Sequence, residues 1–336
     1  MEELQHRRRA RIAAVVVAIL VPSMFGGTAR AGVITRRAAL DRPDVVVVSG
    51  HRSDRWRVCP RDDRTYDLRR LRSIGSFDDL ANLSIGNDCA AARVVTVGGA
   101  AIGTMSHALT WEEVKTTYDA AGLRFEGTSW LASFGASLQN VEDGFAPRVT
   151  EGTEGDNGVA FLLSGAYMDW IRDDAIEDDD LMPGVIRNVL IDGTNRFLSA
   201  RPGEGATYTN HGMRVEIHGV LVHMKAMPND DGRGGDGFGG IFKWSDAAGT
   251  VDMSNAIFLL DEPPISDEPF PPGSYAHVKL VLDYRGRYPG ELPDGVSTTH
   301  RLGVWHRARH RWIRGHARVV NAVRTASTVP FQPSST

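Results

Sequence analysis

The chain has few cysteines, no lysine-rich or arginine-rich excess overall, and little helical periodicity. Each shortage removes a class of protein. Cys59 and Cys89 are the two cysteines in 336 residues. There is no second pair to build a cysteine zinc site, and the two permit one disulfide connectivity. The formal net charge of −4 is mild and points to neither nucleic acid nor an anionic membrane as the main partner. No G-x-S-x-G elbow occurs, so a serine nucleophile has no support. The longest apolar run, 12–21, is about half the roughly twenty residues needed to cross a bilayer, and no span is expected.

That run has its own meaning. It follows Arg7, Arg8, Arg9 and Arg11 and leads to Ala29-Arg30-Ala31, the three-part pattern of a secretory signal. Residues 1–31 are therefore expected to be cleaved, leaving a secreted or periplasmic protein. In an oxidising compartment Cys59 and Cys89 are expected to pair.

The chain carries 36 glycines, and short β-branched stretches recur between turn residues. Val45 to Val48 reads as a buried strand. From Ala121 the stretches 136–141, 159–163, 185–191, 213–224, 240–244, 251–260 and 276–282 each end near Gly, Asn or Asp. Asn140 and Asn188 begin the near-repeats NVEDG and NVLIDG. Asparagine tolerates the left-handed conformation that tight corners require, and stacked coils bury faces that one coil alone cannot. The fold class expected is all-β: a right-handed parallel β-helix with an N-terminal cap over 32–92, coils over 93–300, a capping helix over 301–324 and a disordered tail over 325–336. A short helix is expected from Thr110, with Glu113 completing a capping box. Trp305 and Trp312 share one face of a basic helix, Val304 to Arg318, and are expected to close the apolar end of the last coil rather than lie on a membrane.

The residues that could carry chemistry are carboxylates. Glu142-Asp143, then Asp173-Asp174 with Glu177 and Asp178 to Asp180, form two acidic groups, and Lys243, Arg201 and His211 supply cationic and polar partners. Clustered carboxylates raise at least one pKa and so create acid and base partners for glycosidic cleavage. The run Asp178 to Asp180 reads as a solvated acidic turn.

Asn140 with Asp143-Gly144, Asp173-Asp174 ahead of Ile176, His211-Gly212, and Gly240-Ile241-Phe242-Lys243 resemble the layout of polygalacturonase-type glycoside hydrolases of the pectin-lyase-like superfamily. Residues 93–300 also resemble uncharacterised exported β-helix proteins of bacteria. The chain departs from the hydrolase layout where Asn210 precedes His211 and where no arginine precedes Ile241. The resemblance implies that Asp143, Asp173 and Asp174 act as catalytic acid and base, that His211, Lys243 and Arg201 bind substrate, and that the partner is a polysaccharide or oligosaccharide met by a monomer. No resident metal or cofactor is expected for a hydrolase. A calcium-dependent lyase, with Asp173, Asp174 and Glu177 as oxygen ligands and Arg201 as base, is the related alternative. The loop from Asp230 to Gly237 lacks the ligand spacing of a known calcium loop. A third reading is a non-catalytic scaffold that binds glycans, and aromatics beside the carboxylates would favour the enzyme over it.

Overall fold

The computed structural model describes residues 35–75, 81–86, 93–118, 120–126, 130–149, 154–155, 158–203, 205–228, 236–265 and 269–324. The expected signal, Cys89, the acidic part of the 230–237 loop and the C-terminal tail lie outside them.

The chain winds as a parallel β-helix whose strands form three ladders. In the first, Trp56–Val58, Leu83–Ile85, Ala121–Phe125 and Asp143–Pro147 stack in order, followed by the ends of Tyr167–Glu177 and Leu190–Ala200 and then Gly240–Trp244. The second runs from Val45–Arg52 through Trp130–Phe134, Ala160–Ser164 and Gly184–Arg187 to Gly273–Ala276. The third carries Ser137–Val141, the starts of Tyr167–Glu177 and Leu190–Ala200, and then Leu221–Met224, Ile257–Leu260, Val278–Leu282 and Val296–Thr299. Every one of these pairings is parallel. The antiparallel pair is the small one between Met227–Pro228 and Asp236–Gly237.

Alternation within each strand fills the interior. Leu123, Phe145, Ile176, Leu198 and Phe242 occupy equivalent positions in successive coils of the first ladder, and all are buried. Edge-to-face contacts join Phe125 to Phe145, Phe145 to Phe161, and Phe197 to both Phe242 and Phe258. Such ring pairs add to the area they bury.

The turn between the second and third ladders is the most regular feature. Gly135, Gly165, Asn188, Gly219, Asn255 and His277 all have positive φ, between 53° and 70°. Each is followed by a buried Ala or Val. The amide of Gly135 donates to Ser164 O at 2.8 Å, that of Asn188 to His218 O at 2.8 Å and that of Asn255 to Ala276 O at 2.9 Å, so the corner is bonded from coil to coil. Asn140 belongs to a different corner. It stacks on Trp170 and Gly193, which also have positive φ. The two near-repeats are therefore not one structural repeat. Trp170 holds a conformation that costs a bulky residue free energy. Its ring is sandwiched, with His107 stacked at 4.1 Å and the Lys225 ammonium 4.6 Å from its centroid.

Parallel stacking already includes Val45–Arg52, Arg64–Ile74 and Arg93–Ile102, so coils run through the stretch expected to be only a cap and loops. Charged residues on the outer face hide the alternation there. Val45–Arg52 is a strand, yet Val46 is 39% and Val47 66% exposed. It lies at the beginning of the stack, with one partner strand, so the expectation of burial is corrected. The helix near Thr110 runs over Trp111–Tyr118, and Glu113 Oε2 accepts from Thr110 N at 2.8 Å while Glu113 N donates to Thr110 Oγ1 at 3.3 Å, a complete capping box.

The C-terminal segment forms two helices, Gly303–Gly315 and Ala317–Arg324. They do not plug the end of the last coil. Trp305, Trp312, Val320 and Val323 pack on Ala100, Ile102, Tyr167, Leu190, Leu221, Leu259 and Val281, which are outward residues of successive strands in the third ladder. The pair is a strap laid along the stack. Two tryptophans seven residues apart are about 10 Å apart along a helix, matching two inter-strand steps of about 4.8 Å. Further anchors are Arg309 on the Asp192 carboxylate, Trp312 Nε1 donating to Asn188 O at 3.2 Å and Ser137 Oγ donating to Val319 O at 2.6 Å.

Candidate functional site

Asp143 opens its first-ladder strand. Because Phe145 faces Ile176, Asp174 stands beside Asp143 in the next coil, and Asp174 N donates to Asp143 Oδ1 at 3.1 Å. A glycine must follow Asp143. A Cβ on Gly144 would meet the Ala175 carbonyl and come within 2.8 Å of Met168 Sδ. Thus Asp143-Gly144 marks close coil packing, not a hairpin turn. Asp173 N donates to Glu142 O at 2.9 Å, while the Glu142 carboxylate turns away to accept from Ala120 N at 2.6 Å.

Glu177 occupies the outward position after Ile176 and pairs in register with Ser199, which pairs with Lys243. Lys243 Nζ reaches Asp174 Oδ2 at 3.1 Å. Arg148, just beyond the Asp143 strand, holds Glu177 Oε2 at 2.6 Å, Asp179 at 3.4 Å and Asp180 at 4.0 Å. One oxygen each from Asp143, Asp174 and Glu177 lies within 4.8 Å of the others.

Asp143 is 7% exposed and Asp174 0%. Burial drives the Asp143 carboxyl well above the ordinary carboxylate range, and the neighbouring charges of Glu177, Glu142, Asp173 and Asp174 push the same way. Asp174 is likewise raised by burial and by Asp173, against the opposing charge of Lys243. Burial also raises Glu177, offset by Arg148 and by a hydrogen bond with Asp143. Burial alone would lower Lys243, but Asp174, Asp173 and Asp179 outweigh it and hold the ammonium above its usual value. Burial and mutual repulsion thus push all three carboxyls towards the protonated form, while neighbouring carboxylate charges favour the charged form of the lysine beside them.

Hard oxygen ligands with one Asp174 oxygen lacking a hydrogen-bond partner are the donor type calcium takes. Calcium takes six to eight such oxygens, deprotonated. Here three carboxylates converge, all three are pushed towards protonation, and Lys243 and Arg148 already supply positive charge. The chemistry of this donor set suits proton storage and transfer better than a divalent cation.

Asp143, Asp174 and Lys243 come together as a group, and Asp173, half-buried where the register of the Tyr167–Glu177 strand shifts, adds its charge to theirs. His211 and Arg201 are exposed and take no part in the hydrogen bonds or ion pairs described for the cluster. Arg148 is the participant that sequence reasoning missed, and Glu177 was placed there in the acidic group and as a calcium ligand but not among the catalytic residues. The signal for Glu177 is positional, since it directly follows a core residue of the first ladder, Ile176, as Lys243 follows Phe242. The expectation that Asp178 to Asp180 form a solvated turn is corrected. Asp178 is 0% exposed and accepts from Met182 N at 2.9 Å, while Asp180 accepts from Val149 N at 2.7 Å. These carboxylates bind turn amides that would otherwise lack partners. Two half-buried aromatics lie near in the chain or fold but pack on the core: Tyr208, whose hydroxyl donates to Asp179 O at 2.8 Å, and Trp244, which meets Phe242 edge-to-face.

Comparison with protein-family models, with curated proteins and with solved structures finds no match for this chain, so the site is read from its own geometry.

Proposed function

We propose that this chain is an exported carbohydrate-active protein that hydrolyses a polysaccharide at the carboxylate cluster of the first ladder. The observation that carries the reading is the convergence of Asp143, Asp174 and Glu177 within 4.8 Å, with raised carboxyl pKa values beside a cation. A carboxyl held protonated near neutral pH is what a general acid needs. Fully buried Asp174 cannot touch a polymer. It positions Lys243 and, with Asp143, supplies the proton environment of Glu177, whose side chain is 18% exposed. Glu177 would protonate the leaving glycosidic oxygen. Half-buried Asp173 would take a proton from the water that adds its oxygen to the anomeric carbon. This assignment fits the resemblance to pectin-lyase-like hydrolases, with Glu177 added to the expected set and with Arg201 and His211 left at its margin.

Reducing-sugar release from a panel of acidic and neutral polysaccharides tests it. Glu177→Gln is expected to lower the rate by about 10²- to 10⁴-fold with little change in melting temperature. An unchanged rate would discard Glu177 as the acid. The burial of Asp143 and Asp174 favours a second reading, in which the cluster is a structural element of a glycan-binding scaffold. That reading takes over if the parent protein releases no sugar and both Glu177→Gln and Asp174→Asn melt early.

Export also implies the Cys59–Cys89 bond. Among the described residues no cysteine is free, and titration of the denatured, unreduced protein is expected to find no reactive thiol. Two thiols per chain would rule the bond out.

A further inference from the structure

We infer that the outward face of the Gly303–Gly315 helix is a second site, which binds a carboxylated polysaccharide through an arginine stripe. It rests on the proposed function only for the class of partner, and on none of its catalytic chemistry. No Asp or Glu follows Asp294 in the chain, so the strap carries cations with no acidic residue of its own. Those cations are arginines and histidines, without lysine. The apolar side of the helix is spent on the fold, with Trp305 2% and Trp312 7% exposed.

An open surface space of about 580 Å³ among the helix's own side chains is lined by His306, Arg307, Arg309, His310, Arg311 and Arg314. Arg309 is committed to Asp192. Arg307, Arg311 and Arg314 are exposed and take part in none of the ion pairs among the described residues. Their spacing of four and three residues places them in one row, with neighbours about 5–6 Å apart. Like charges in such a row destabilise a helix unless something compensates them, and this helix has no Glu one turn away to do so.

The chemistry of the row narrows the partner to an oxyanion polymer, and the proposed function selects carboxylate over phosphate. Guanidinium groups bind carboxylates through two parallel hydrogen bonds, which an ammonium cannot do. The row is straight and narrow, so it matches a linear polymer with regularly spaced carboxylates. A helix that binds a membrane inserts its apolar face, and here that face is buried in the protein.

The test uses the full mature chain and isothermal titration with polygalacturonate as the carboxylated probe, dextran as the neutral one, phosphatidylglycerol vesicles and duplex DNA. Polygalacturonate is expected to bind with an affinity that falls as salt rises, and dextran is not expected to bind at this face. The triple variant Arg307→Gln, Arg311→Gln, Arg314→Gln is expected to lose at least about tenfold in affinity, given charge-assisted hydrogen bonds of the usual strength, with an unchanged melting temperature. Glu177→Gln is expected to bind polygalacturonate like the parent, which separates this site from the carboxylate cluster. Equal binding by the triple variant, or polygalacturonate held no better than dextran, overturns the site. Tighter binding to vesicles or DNA than to polygalacturonate overturns the choice of partner.

Discussion

Stability is expected to rise as the pH is lowered from 8 towards about 5, and Asp143→Asn is expected to flatten that rise. Asp143 and Asp174 have folded-state pKa values well above those of exposed carboxylates, and burial does the same to Asp178. The folded protein therefore binds more protons than the unfolded chain over the interval from about pH 4 up to the folded values. In that interval each such proton makes stability fall by as much as about 1.4 kcal/mol per pH unit as pH increases. The stabilisation is complete below the unfolded pKa and is lost as pH passes the folded one. Groups such as Asp67, which hydrogen bonds from Arg69 hold below the usual range, act oppositely. Their contribution is lost as the pH falls below about 4, which sets an acid limit to the trend. Asparagine at position 143 can still accept from Asp174 N and donate to Glu177, but it has no charge to bury. Urea midpoints at pH 5, 6, 7 and 8 check this. A midpoint that stays level or increases with pH, or an Asp143→Asn profile parallel to the parent's, would contradict the buried-proton account.

The second large effect is on the strap. Trp312→Ala is expected to cost about 3–5 kcal/mol, the usual range for removing a buried tryptophan. It removes a ring stacked on His316 at 4.1 Å and packed 6.3 Å from Tyr167, together with the bond to Asn188 O. Because Val320 and Val323 pack against Ala100 and Ile102, the loss should also register far from Trp312. Hydrogen exchange is expected to quicken in Arg93–Ile102 as well as in Ile257–Leu260. Had the helix been an end plug, faster exchange would be confined to the final coils. A cost under about 1 kcal/mol would mean that the strap is loosely held.

The parallel architecture was legible in short strands punctuated by Gly and Asn, because strand period and left-handed corners are local properties. Which asparagine belongs to which corner was not. Asn140 and Asn188 look equivalent in sequence, but the true partners of Asn188 are three glycines, Asn255 and a histidine, and only the register separates the two columns. The early coils were hidden by their charged outer face. At the site, stacking brought Asp143 beside Asp174 as the strand order suggested. Their burial could not be read, because it depends on whether a residue at a bend faces in or out. Nor could Arg148, whose carboxylate partners sit one coil later.

The corner from Gly135 to His277 also bears on how such a protein can change. The long excursions 103–120, 148–159, 201–209, 225–239 and 261–272 all leave from one of the other two corners. The invariant corner therefore works as an index edge. Residues can be inserted or deleted elsewhere in a turn of the helix without altering the register at which the next turn begins, since loop closure grows only slowly more costly with length. Arg148 and Tyr208, which border the carboxylates, stand on two of those excursions. Loop grafting there offers a way to alter the rim of the site while leaving the stack unchanged.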